Sequence, residues 1–177
     1  VIVAHNGAEQ VAPSTFHKNA DEKWISFVGR VTGQKGPHFV VETAAKLVRK
    51  CSEARFVIAG KGDYFEAMLH EVARQRMGKY FIFAGFLSRD KVRDLLAVSH
   101  AFFMPSVSEP FGLSAVEAAQ HGVPAVISER SGVAELLRGS LRADFWDTDR
   151  FANYLHALLR YPALHAVMSR QALHDVH

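Results

Sequence analysis

Ser106-Val-Ser-Glu-Pro-Phe-Gly-Leu-Ser-Ala-Val-Glu-Ala-Ala-Gln-His-Gly-Val-Pro124 follows the apolar run Ala101-Phe-Phe-Met104 and Pro105. An apolar run stopped by proline predicts a short buried strand. A polar loop comes next, carrying Glu109 and Pro110. Phe111-Gly112-Leu113 then leads into good helix formers from Ser114 to residue 120, and Gly122 ends them. Strand, loop and helix in that order put two carboxylates at one strand end. Glu109 sits in the loop and Glu117 one turn into the helix. Gly112 lets the backbone come close to a ligand, and the free N–H groups of a first helical turn suit an anion.

The same alternation repeats on both sides of this stretch. Residues 24–28, 55–59, 80–84 and 125–128 are further apolar strands, and residues 141–143 are a sixth. Phe39, Val40, Thr43, Ala44, Leu47 and Val48 recur at helical spacing, which predicts a helix to about residue 50. Asp63 is the expected N-cap of a helix over 64–77 that turns Phe65, Met68, Leu69 and Val72 inward and stops at Gly78. Ser88 is expected to cap a helix with Val92, Leu95 and Leu96 on its buried face. A short helix is expected over 133–138, another from Asp147 to 159, and a last one from Pro162 to the end.

Strands that are continuous apolar runs, separated by helices, predict a parallel sheet covered on both faces. The expected fold is a Rossmann-like open α/β sheet of about six strands. Ligands of such sheets bind beyond the carboxyl ends of the strands. Gly29-Arg30 with Lys35-Gly36, Gly60-Lys61-Gly62, Gly85-Phe86-Leu87 and the loop bearing Glu109 should therefore converge on one crevice.

Length and composition fit this picture. A chain of 177 residues with 49% apolar and 22% charged residues is expected to fold as one globular domain. No apolar stretch reaches the length of a membrane span, and no signal peptide is expected. The single Cys51 excludes an internal disulfide and fits a reducing, cytoplasmic compartment. It ends a helix with no His beside it and is read as inert. A net charge of +3 without runs of like charge gives no footprint for nucleic acid. His174 and His177 flank Asp175, but no further ligand cluster accompanies them, so no metal site is expected. His5 and His121 are read as structural.

Each chemical signal has a plainer reading beside it. Arg30 and Lys35 on one loop suit a diphosphate, the first as a planar fork and the second as a point charge. Ordinary surface charge is the alternative. The loop lacks the Walker pattern, and no Gly-x-Gly-x-x-Gly is present, which disfavours a dinucleotide oxidoreductase. Glu109 and Glu117 are either an acid/base pair, as in sugar hydrolysis, or acceptors for the hydroxyls of a polyol. The small and apolar neighbours of Glu117 predict a largely buried helix, and a buried Glu needs a partner. Gly60-Lys61-Gly62 alone is a turn. Phe86 and Leu87 are either a base pocket or core.

Assembled, these residues resemble the C-terminal domain of retaining glycosyltransferases of the two-domain GT-B fold. The likeness is greatest to glycosyltransferase family 4, the group 1 glycosyl transferases, with its glycogen-synthase-like relatives. Val28-Gly29-Arg30 with Lys35-Gly36 looks like the family's Gly-Arg…Lys-Gly loop. Phe56-Val-Ile-Ala-Gly-Lys-Gly62 resembles its second strand and glycine turn, and Phe83-Ala-Gly-Phe-Leu87 its base-side loop. Pro105-Ser106 through Glu109-Pro-Phe-Gly-Leu113 to Glu117-Ala118 matches its motif of two Glu with seven residues between. Gly122-Val-Pro124, then Ser131-Gly132 and Glu135, continue it.

The resemblance implies a division of labour. Arg30 and Lys35, with Gly29 beside them, would hold the donor diphosphate and stabilise the leaving nucleotide. Glu109 would contact the donor sugar's hydroxyls. The backbone at Phe111, Gly112, Leu113 and Ser114 would lie against sugar and phosphate, and Glu117 would accept from the ribose. Gly60, Lys61, Phe86 and Leu87 would border the base. Lys61 stands where many members have an acidic or small residue, so the nucleotide is left open among ADP, UDP and GDP types. No metal or other cofactor would be needed, because the two cations replace it.

Residues 1–8 resemble the end of an interdomain linker, and 9–177 the donor-binding domain. The N-terminal acceptor domain is then absent, as is any membrane contact it would bring. On this reading the chain binds a nucleotide sugar but does not transfer alone. A sugar-nucleotide 2-epimerase would carry a different acidic and His pattern. A flavodoxin-like interaction module would need an acidic cluster where Gly29-Arg30 stands. A non-catalytic nucleotide-binding subunit is opposed by intact Arg30, Lys35, Glu109 and Glu117.

Overall fold

The computed structural model describes residues 19–176. The run at 101–104 forms strand β4 (Ala101–Met104), and all four of its side chains are buried. Successive strand residues point to opposite faces. Ala101 and Phe103 accordingly enter one apolar cluster, and Phe102 and Met104 another. A sheet with one wet face would expose half of this run, so helices must cover both sides.

The remaining strands are β1 (Lys23–Val28), β2 (Ala54–Ala59), β3 (Phe81–Gly85), β5 (Ala125–Ser128) and β6 (Leu141–Ala143). Their order across the sheet is β3-β2-β1-β4-β5-β6, with every neighbouring pair parallel. Ile25 of β1 pairs with Phe56 on one side and Ala101 on the other. The chain therefore winds outward from β1 to β3, returns to β4 beside β1, and winds outward the other way. The gap between β1 and β4 is the switch point where such sheets bind ligands.

Among the described residues α1 (Pro37–Leu47), α2 (Phe65–Arg74), α3 (Arg89–Val98) and α4 (Leu113–Gln120) connect successive strands, and α5 (Thr148–Arg160) and α6 (Pro162–Val176) follow β6. On one face α1 and α5 pack together, and Val40, Ala44, Leu47, Phe151 and Leu155 close over Phe27, Phe56 and Phe103. On the other, α4 lays Ala115, Ala118 and Ala119 against the cluster of Phe102, Met104 and Ile127, with α6 behind it. Leu95 of α3 joins Trp24 and Val57 in a third cluster. The parallel six-stranded α/β sheet is the Rossmann-like fold expected from the apolar runs.

Several element ends differ from expectation. Tyr64, not Asp63, holds the N-cap position of α2, and no side chain caps it. The turn is held instead by backbone, with Tyr64 N–H donating to the Val31 carbonyl at 3.0 Å. The helix ends at Arg74 rather than residue 77, because Arg76 turns the chain at φ 55° and tucks Met77 into the core. Helix α1 stops at Leu47, and Cys51 N–H bonds back to the Leu47 carbonyl at 3.0 Å. Burial pushes the Cys51 thiol up to about 11, consistent with an inert cysteine. Ser88 occupies the N-cap position of α3 without a side-chain cap bond. The helix expected at 133–138 is a single 3-10 turn, Gly132–Glu135.

The helix expected from Asp147 is α5, and Asp147 stands as its N-cap, accepting from Arg150 N–H at 3.0 Å. Asp147→Ala should cost about 1 kcal/mol. Urea unfolding would show a lower midpoint at unchanged slope, and an unchanged midpoint would refute the cap.

Candidate functional site

The loops leaving the carboxyl ends of the strands are tied to one another by backbone. Gly29 N–H donates to the Ala59 carbonyl at 2.9 Å, and Gly60 N–H to the Gly85 carbonyl at 2.7 Å. Val31 N–H donates to the Lys61 carbonyl at 3.1 Å. Across the switch point, Val107 N–H donates to the Gln34 carbonyl at 2.9 Å. Gly36 lies so near the next loop that a Cβ there would stand 2.4 Å from the Pro105 carbonyl oxygen. Gly132 N–H reaches the Glu109 carbonyl at 2.8 Å. The expected convergence of strand-end loops is thus met, and the loop after β5 joins them.

At the centre lies a pair that spacing does not announce. Lys35 ends a 3-10 turn, Gly33–Lys35, and its Nζ donates to Glu109 Oε2. Glu109 Oε1 accepts from Gly112 N–H at 3.1 Å. The two side chains are only 18% and 12% exposed, so solvent screens the pair weakly. Gly112, in the left-handed region at φ 85°, is the N-cap of α4. The carboxylate therefore meets a cation and the positive end of a helix together. The stem of Lys35 runs beside Gly29, where a Cβ would sit 3.7 Å from Lys35 Cε. Gly29, Lys35, Glu109 and Gly112 form one cluster between β1 and β4.

The other sequence candidates lie around this centre. Arg30 and Lys61 are exposed. Arg30 makes no ion pair or side-chain hydrogen bond with a described residue. Gly60 is pressed between the loops after β1 and β3. Lys61 lies alongside Gly85, with Cε 3.6 Å from where a Cβ would be. Phe86 is 81% exposed and belongs to no core, whereas Leu87 packs against the cluster of Trp24 and Leu95. Phe111 and Leu113 are exposed beside the start of α4, and Ser114 is half-buried.

Glu117 departs from expectation. The burial of α4 falls on its three alanines, while Glu117 is half-buried and its carboxylate has no partner among the described residues. It makes no hydrogen bond or ion pair with Lys35 or Glu109. His121 Nδ1 pairs with the Glu117 carbonyl at 2.9 Å, a local structural contact. His5 lies outside the described residues, as does the linker-like stretch 1–8.

Ser131 and Gly132 belong to the site and were not singled out as site residues from the sequence. Ser131 pairs with Glu109 as an isolated parallel bridge. Its Oγ is buried without a hydrogen-bond partner among the described residues, 3.3 Å from where a Cβ of Gly112 would lie. A Cβ on Gly132 would stand 2.0 Å from the Pro110 carbonyl oxygen. The strand-end rule, applied to β5 as to its neighbours, is the signal that finds them. Among the described residues no group of three or more His, Cys, Asp or Glu is placed to hold a metal ion. None of their helices is long and apolar enough to cross a membrane.

Known proteins place the chain. The profile of the family described as glycosyl transferases group 1 matches residues 11–175. An uncharacterized glycosyltransferase of Methanocaldococcus jannaschii is 36% identical over 121 residues, covering 67% of this chain and 30% of that protein. A glycogen synthase of Hydrogenovibrio crunogenus is 31% identical over 154 residues, 79% of this chain and 31% of that protein. The chain thus spans about 30% of the length of these curated relatives. Anabaena HepE, solved in complex with UDP, superposes with a TM-score of 0.80 at 20% identity, over 89% of this chain and 44% of that one. The C-terminal domain of a group 1 glycosyl transferase from Francisella tularensis superposes with a TM-score of 0.79 at 19% identity, over 87% of this chain and 84% of that one. The structural likenesses show a shared fold, and the profile match shows the family: this chain belongs to the glycosyl transferases group 1.

Proposed function

We propose that the chain is the donor-binding domain of a retaining glycosyltransferase. The whole enzyme would move a hexose from a nucleotide diphosphate sugar to an acceptor in polysaccharide or glycoconjugate synthesis. The observation that carries the reading is the meeting of Lys35, Glu109 and the N-terminus of α4 at the switch point between β1 and β4. A cation beside a helix N-terminus suits a phosphate, and a carboxylate beside both suits sugar hydroxyls. Support also comes from the UDP bound to a protein of the same fold.

In this reading Lys35 and Arg30 stabilise the charge that develops on the leaving diphosphate, in place of a metal ion. Glu109 orients the sugar and is not a covalent nucleophile. Glu117 accepts from the ribose, while Gly60, Lys61, Phe86 and Leu87 border the base. Gly29, Phe111, Gly112, Leu113 and Ser114 bring backbone to the phosphates and sugar. A second domain, preceding this one in a cytoplasmic enzyme, supplies the acceptor site, and transfer requires it. That the relatives are about three times as long accords with this.

Calorimetric titration with ADP, UDP and GDP tests the reading. One nucleotide should bind below millimolar concentration, equally well in the presence of a chelator. Glu117→Gln should weaken that nucleotide about tenfold, the worth of a hydrogen bond to a charged group, without affecting inorganic phosphate. Absence of binding by all of them sinks the proposal. Robust transfer by the 177 residues alone would sink the requirement for a second domain.

A further inference from the structure

Glu109 already occupies the positions a phosphate needs. Its Oε2 takes Lys35 Nζ, and its Oε1 takes the N–H of Gly112 at the start of α4. The carboxylate is held there by its own backbone. Gly132 N–H grips the Glu109 carbonyl at 2.8 Å, and Glu109 bridges to Ser131. A phosphate oxygen that reaches Lys35 must therefore share its ammonium with a carboxylate or displace it, and in either case two like charges stand side by side. What happens next depends on what the phosphate carries. A displaced carboxylate accepts hydrogen bonds and donates none. Sugar hydroxyls donate to it, whereas the terminal phosphate of a bare nucleoside diphosphate adds only negative charge.

Resting on the reading of this crevice as a nucleotide-sugar site, we propose that Glu109 is an internal competitor for Lys35. It makes the site favour a diphosphate that bears a sugar over the bare nucleoside diphosphate. The same residue thus sets specificity at entry and aids release. While the sugar is attached, its hydroxyls satisfy Glu109. Once the sugar has gone, Glu109 regains Lys35 and the helix N-terminus, and the nucleotide is held less tightly. Arg30, exposed and without a partner among the described residues, is under no such competition.

The test titrates the chain and its Glu109→Gln variant with matched pairs: UDP and UDP-glucose, ADP and ADP-glucose, GDP and GDP-mannose. Glutamine keeps the size of the side chain and an oxygen for Gly112 N–H, but it carries no charge for Lys35. The bare nucleoside diphosphate should bind Glu109→Gln about tenfold more tightly, the worth of one charge-assisted hydrogen bond. The sugar-bearing partner should gain nothing or weaken. In a Lys35→Ala background the gain from Glu109→Gln should vanish, since a double-mutant cycle isolates the pair. Unfolding curves in urea confirm that each variant is folded.

An unchanged or weaker nucleoside diphosphate affinity in Glu109→Gln overturns the competitor while leaving the nucleotide site standing. So does a gain that persists without Lys35. If neither wild type nor Glu109→Gln binds any of the six ligands, the nucleotide-sugar reading falls and the competitor with it.

Discussion

Gly60→Ala is expected to lose about 3–5 kcal/mol of stability, from a glycine-only backbone conformation added to a clash that cannot relax. Gly60 has a φ of +151°, and a Cβ there would stand 1.8 Å from the Gly29 carbonyl oxygen and 2.8 Å from its carbon. These are backbone atoms, so no rotamer change relieves the contact. Relief requires separating the ends of β1 and β2, where Gly29 N–H bonds the Ala59 carbonyl and Gly60 N–H bonds the Gly85 carbonyl. The loss is a large share of the 5–15 kcal/mol that typically holds a domain together. Gly85→Ala is the control. Gly85 also has a positive φ, +66°, but its Cβ would meet only Lys61 Cε at 3.6 Å, an ordinary contact. It should lose only about 1–2 kcal/mol, the cost of a left-handed conformation for a residue with a Cβ. Urea unfolding of both variants decides the matter, and equal losses would refute the packing account.

The largest effect on binding is expected from Lys35→Ala. Removing one charge-assisted contact to a phosphate should weaken the nucleotide about 30-fold, equivalent to roughly 2 kcal/mol. The variant should also be less stable. Without Lys35, the Glu109 carboxylate, 12% exposed, keeps only the Gly112 N–H. A nearly buried charge stripped of its partner costs about 1–3 kcal/mol. Adding Glu109→Gln removes that charge and should restore stability without restoring affinity. Arg30→Ala, by contrast, should weaken the nucleotide and leave the unfolding midpoint where it was, because Arg30 is exposed and unpaired among the described residues. Calorimetry and urea unfolding on the same four proteins read both quantities. A Lys35→Ala variant with wild-type affinity would remove this residue from the site.

Much of the fold was legible in short apolar runs. Strands β4 and β5 have the bounds read from residues 101–104 and 125–128, because Pro105 stands after the first and Pro124 before the second, and all but Ser128 within them are apolar. Helix ends were read less well. Asp63 was a reasonable cap by residue type, yet the start of α2 is fixed by Tyr64 N–H bonding to Val31, half a βαβ unit away. Arg76 at φ 55° ends the same helix, although nothing in its residue type signals a left-handed conformation. For Glu117, the small neighbours signalled burial correctly, but burial went to Ala115, Ala118 and Ala119 and left the carboxylate half-exposed.

The parallel sheet, the loops that bear Arg30, Lys35, Glu109 and Gly112, and the family to which they belong are all written in the amino-acid sequence. Those signals are local. Each depends on side chains and glycines within a few residues of one another, and periodicity records them. That Lys35 and Glu109 grip each other at the start of α4 comes from long-range packing instead. They are separated by 74 residues, and they meet because the chain returns from β3 to lay β4 beside β1. No pattern of spacing encodes that meeting. It follows from the order of strands in the sheet, which is set by the packing of both apolar faces at once.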